Sequence, residues 1–109
     1  MFLDFNTMDV TVIPGMKGGE GEVQARLHSD ANGKIMLAHI PQGASIGMHT
    51  HDTSSETIYV LSGQGKTICD GVEQALLPGQ CSYCGKGSAH TLINTGVEDL
   101  VFFAVIPEL

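Results

Sequence analysis

The chain has 109 residues, a formal net charge of −7 and a hydrophobic content of 42%, with a sequence pI near 4.9. This length makes a single domain over 1–109 the expectation, because a second core would be too small to stand alone, and the apolar content excludes a disordered chain. The acidic balance offers no basic patch for phosphate backbones or anionic lipid, so neither nucleic acid nor a membrane is an expected partner.

Residues 1–13 lack the basic start and apolar stretch of a secretory leader, and no apolar run reaches the roughly 20 residues that span a bilayer. A cytoplasmic protein is expected. The same segment reads as an edge strand, open to a neighbouring subunit. A Gly-rich loop follows over 14–21, and 29–33 reads as a turn, so 1–33 forms an N-terminal strand and loop region. The rest, 34–109, carries eight predicted strands: 34–40, 45–51, 56–61, 66–69, 72–77, 80–84, 90–94 and 100–106. Each is rich in Ile, Val, Leu, Thr, Tyr or Phe and bounded by Gly, Asp, Asn or Pro. Asp70-Gly71 is the clearest hairpin signal, with further turns at Ser62-Gly63, Pro78-Gly79 and Thr95-Gly96. No window keeps a 3.6-residue apolar period, so the fold class is all-β, a barrel or sandwich of short strands.

Three cysteines, Cys69, Cys81 and Cys84, make an odd count that does not describe a disulfide framework. Residues three apart on a strand point to opposite faces, so Cys81 and Cys84 are expected to be reduced structural thiols. Of Tyr83 and Cys84, one must look inward.

The chemistry concentrates elsewhere. His49 and His51 share one face of an extended strand, Glu56 follows after a short polar stretch, and His90 stands in a second Gly-rich segment. Imidazole and carboxylate together suit borderline and hard divalent metals. The spacing of the surrounding glycines is equally specific. Gly43, five residues, His49-Thr50-His51, four residues, Glu56, six residues and Gly63 form one block. Gly79, five residues, Gly85-Lys86-Gly87, two residues, His90, three residues and Asn94 form the other.

These blocks resemble the two motifs of the cupin superfamily. The resemblance implies a double-stranded β-helix, or jelly-roll barrel, enclosing one divalent transition metal (Mn, Fe, Ni, Co or Zn) on His49, His51, Glu56 and His90. It also implies a homodimer packed sheet to sheet. One departure is Gly85, where the motif usually has proline, which predicts a looser or differently aimed turn; another is Gln80, where an acidic residue is common. Parity predicts Ile58 and Val60 on the ligand side of their strand, with Thr57, Tyr59 and Leu61 opposite. It likewise places Ser45 and Gly47 with the ligands, Gly47 leaving room beside the metal, and Met48 and Thr50 facing away.

Three histidines and one carboxylate can close a tetrahedral structural zinc site. On an octahedral ion they leave two positions for water, dioxygen or substrate, and the centre then favours an anionic chelating ligand. The leading expectation is therefore a metal-dependent enzyme of dioxygenase type acting on a small anionic or chelating molecule. The alternatives are a non-catalytic binding or sensor protein and a sugar-phosphate isomerase or lyase. No catalytic acid or base is identifiable, and there is no nucleophile elbow, P-loop or dinucleotide fingerprint. His39 and His28 read as ordinary satisfied histidines.

Overall fold

The computed structural model describes residues 1–109. Ten strands follow one another: β1 Thr11–Pro14, β2 Glu22–Asp30, β3 Gly33–Ile40, β4 Ser45–Thr50, β5 Glu56–Ser62, β6 Gly65–Cys69, β7 Val72–Leu76, β8 Cys81–Cys84, β9 Ala89–Asn94 and β10 Leu100–Pro107. A single 3-10 turn, Met16–Gly18, lies between β1 and β2. Eight of these strands match the predicted ones to within a residue or two at their ends. No helix is long and apolar enough to cross a membrane.

The strands form two antiparallel sheets facing each other, a double-stranded β-helix. One has six strands in the order β1-β2-β3-β10-β5-β8, the other four in the order β4-β9-β6-β7. Strand β10 shows why the sequence folds this way. Its period-two pattern sends Leu100, Phe102 and Ala104 into the interior, where each is fully buried. On its outer side Phe103 meets Phe5 edge to face, with centroids 6.1 Å apart. The N-terminal segment is further tied to this sheet by Arg26, whose Nε donates to the Met8 carbonyl at 3.1 Å. Burying Phe102, Ile40, Ile58, Leu92 and Leu100 completely contributes about 1.5–3 kcal/mol each.

The Asp70-Gly71 turn joins β6 to β7 as predicted. Both residues have positive φ, 48° and 81°, which is the geometry whose twist matches a two-residue hairpin.

The N-terminal third departs from its predicted strand-and-loop layout. A nine-residue strand, β2, runs over Glu22–Asp30 and pairs with β3 from Gln24 opposite His39 to Asp30 opposite Gly33. Val23 and Ala25 point into the core. The edge strand expected over residues 1–13 forms only over Thr11–Pro14, as β1, and it pairs with β2 of its own chain.

Candidate metal centre

Strand β4 and the first residue of the loop after it supply His49 and His51, beside a defect in the pairing of β4. Ile46 lies opposite Leu92 and His49 opposite His90, with a register shift between them. Gly47 and Met48 thus face Thr91 alone, a β-bulge. The Thr91 hydroxyl donates to the Ile46 carbonyl at this point, satisfying an acceptor beside the disrupted ladder. The bulge corrects the predicted parity upstream of His49. Ile46, rather than Ser45, turns into the core, while Met48 and Thr50 stay exposed and His49 and His51 keep their shared inward face.

Gly47 also has a different purpose from the one expected. A Cβ built on it would meet the Lys17 carbonyl oxygen at 2.2 Å and the Gly19 nitrogen at 2.8 Å. Its missing side chain admits the Met16–Gly18 turn, which seats against β4, and leaves no space for a metal.

Glu56 opens β5 and His90 lies near the start of β9, both buried. Ile58 and Val60 share the inward face of Glu56, and Tyr59 and Leu61 are exposed, as parity predicts. The turn that carries the second motif is held tightly despite Gly85. Gly87 donates to the His51 carbonyl at 2.7 Å, His51 donates back to Ser88 at 3.0 Å, and Ser88 donates to Gly85 at 3.0 Å. These backbone bonds tie the turn to the first motif. Asn94 ties the end of β9 in place, donating to the carbonyls of Ile40 at 2.7 Å and Glu98 at 2.8 Å.

The four side chains converge. His51 Nε2 lies 3.0 Å from both Glu56 Oε1 and His90 Nε2, and His90 Nε2 lies 3.1 Å from His49 Nε2 and 2.9 Å from Glu56 Oε1. The His49–Glu56 separation is 3.9 Å, and all four donor atoms lie within 4.8 Å of one another. Each ring turns its other nitrogen away. His49 Nδ1 donates to the Gly47 carbonyl at 2.8 Å, so in the neutral ring Nε2 presents a bare lone pair to the cluster. His51 Nδ1 is 2.9 Å from Ser54 Oγ. His90 Nδ1 is buried without a partner, so packing alone orients that ring.

Lone pairs this close repel one another unless a proton or a cation stands between them. Donors about 2.1 Å from a common ion lie about 3.0 Å apart at right angles and about 3.4 Å apart at tetrahedral angles. Four of the six separations fall between 2.9 and 3.1 Å, close enough for one common ion, so the donor set fits a divalent metal. Burial pushes Glu56 upward, but hydrogen bonds and charge from His49, His90 and His51 outweigh it and bring the carboxyl down to about 2. Burial holds His51 below its ordinary value, against the raising influence of Glu56. Both effects favour the deprotonated forms that bind metals.

The remaining sequence candidates lie off the cluster. Cys84 is buried directly opposite Glu56 on β8, and burial pushes its thiol up to about 12, so it is unreactive packing. Tyr83 and Cys81 are exposed and no disulfide forms. His39 pairs with Asp99 at 3.2 Å and His28 with Asp30 at 2.9 Å, both satisfied outside the cluster. A cavity of about 390 Å³ opens beside His49, His51 and Glu56. Its walls come partly from β1, β2 and the Met16–Gly18 turn, whose contribution the strand pattern from residue 34 onward does not reveal. The period-two series Val23, Ala25, Leu27 is the signal that could have shown it.

The same architecture occurs in known proteins. An oxalate-binding protein of Thermotoga maritima is 33% identical over 101 residues, covering 86% of this chain and 83% of its own length. A solved structure of a protein from Thermotoga maritima, described as a predicted oxalate decarboxylase, superposes with a TM-score of 0.94 at 29% identity over the whole of both chains. KdgF from Halomonas sp. shares the fold, with a TM-score of 0.81 at 16% identity over 100% of this chain and 94% of that one. The cupin domain family matches residues 36–106, and with both motifs and the double-stranded β-helix in place, this chain belongs to the cupin family.

Proposed function

We propose that His49, His51, Glu56 and His90 hold one divalent transition metal, and that the chain is a metal-dependent enzyme of dioxygenase type acting on a small anionic, chelating organic substrate. The observation that carries this reading is the convergence of four donors, all within 4.8 Å of one another, beside a cavity of about 390 Å³. On an ion that takes six ligands, these four side chains would leave two positions for exogenous groups, and the metal would supply Lewis-acid and redox chemistry. The chain's own contribution is orientation. The Gly47 carbonyl and Ser54 hydroxyl fix the rings of His49 and His51, and Glu56 lowers the charge of the centre while staying ionised.

The test is oxygen uptake by metal-loaded protein over a panel of catechols, flavonols, diketones and thiol acids. Uptake that needs both metal and one substrate class, and vanishes in His49→Ala, is expected. Silence across the panel turns the assignment to the second reading, a small-molecule binder without turnover, which the oxalate-binding relative favours. Both readings place a single cytoplasmic domain in a homodimer, where the exposed Tyr59, Leu61 and Tyr83 of the six-stranded sheet find cover.

A further inference from the structure

The cavity beside the four donors is far larger than a small dianion needs. At about 390 Å³ it lies within the ~300–1,000 Å³ range of sites that enclose drug-sized ligands. Its lining is mixed, with an aliphatic and thioether strip among polar and charged side chains. Ile13, Met16, Leu27 and Ile106 pack against the core yet are only partly buried, and all four line the cavity. Their exposed area is therefore apolar surface turned toward the site, with Met36 and Ile46 behind it.

Charge around the opening points the same way. Lys17 and Lys34 are the cationic side chains of the lining, and Asp30, Asp52 and Glu108 outnumber them. Two lysines against three carboxylates leave a net acidic lining to face a second carboxylate once one chelating anion has neutralised the centre.

From the apolar strip, the volume and the net acidic lining, we infer that the site selects chelating monoanions carrying an apolar side group, such as branched 2-oxo acids, over oxalate. This deepens the proposed function and rests on it, since the chelating head is assigned to the metal. Ile13, Met16, Leu27 and Ile106 would act as specificity residues for the tail. None of them touches the donor cluster through a hydrogen bond, so their effect is on selection among ligands.

The inference is tested by calorimetric titration of Mn(II)-loaded full-length protein with oxalate, pyruvate and 4-methyl-2-oxopentanoate. Each CH₂ buried on the wall is expected to gain about fourfold in affinity, so the branched acid should bind about tenfold or more tighter than pyruvate and more tightly than oxalate. Leu27→Ser should shrink the ratio between branched acid and pyruvate. The wild-type series alone decides the matter if that variant folds poorly. Equal affinities for pyruvate and the branched acid, or tighter binding of oxalate, would overturn the inference and leave the metal–anion reading standing. Failure of all three ligands to bind a protein that keeps its metal would overturn that reading, and this one with it.

Discussion

Ser54 and Gly47 fix two of the three imidazoles, at 2.9 and 2.8 Å, while His90 Nδ1 has no partner. Partners of this kind orient a ligating ring and raise its basicity, and their loss typically costs 10–100-fold in metal affinity. Ser54→Ala should therefore weaken metal binding by about tenfold or more in a chelator competition, with the strand content in circular dichroism unchanged. Protons should act in the same direction. In the metal-free protein both His51 and Glu56 are held below their ordinary values of 6.5 and 4.5. A depressed folded pKa means that the unfolded chain binds more protons, so each group's contribution is present above its unfolded value and is lost as pH falls. Denaturant midpoints of the metal-free protein should fall as pH drops below about 6.5, and the Glu56 part should go as the pH drops from 4.5 toward 2. A midpoint that rises on acidification would contradict the account.

At the scale of elements, the β4 bulge and the Met16–Gly18 turn are one construction. The bulge sets His49 and His51 inward, and Gly47 lets the turn approach within contact of the strand. Gly47→Ala should destabilise the fold by about 1–3 kcal/mol, read from chemical denaturation, because the atoms that a Cβ meets are backbone. Gly85→Ala should do the opposite. Its Cβ would meet nothing closer than the Tyr83 ring at 3.5 Å, so restricting the unfolded chain should gain about 0.4–1 kcal/mol. These two glycines also show what the sequence makes legible. Period-two parity placed the interior face of β5 and the outward turn of Met48 and Thr50, because those runs are regular. It failed at Ser45 and Gly47, since a bulge adds a residue without leaving a mark in the pattern. Strand β2 escaped because Glu22, Gln24, Ala25 and Arg26 are poor strand formers. Pairing with β3 and burial of Val23 and Ala25 override that local preference.

Across the whole molecule, the two sheets place ligands from β4, β5 and β9 and the loop that follows β4 around one interior. Their convergence was implied by spacing and resemblance, whereas the cavity depended on long-range packing of the N-terminal third. The core that holds both is centred on β10. Phe102→Ala should cost about 3–5 kcal/mol and lower metal occupancy only through unfolding, so the folded fraction should still bind metal. The central claim is one ion on four side chains. Elemental analysis of protein purified without added metal tests it most directly, run alongside His49→Ala, Glu56→Gln and His90→Ala variants verified as folded. The account predicts close to one equivalent of a divalent transition metal per chain in the wild type and its loss in each variant. Folded wild-type protein that takes up no metal, or variants that retain it fully, would contradict the account.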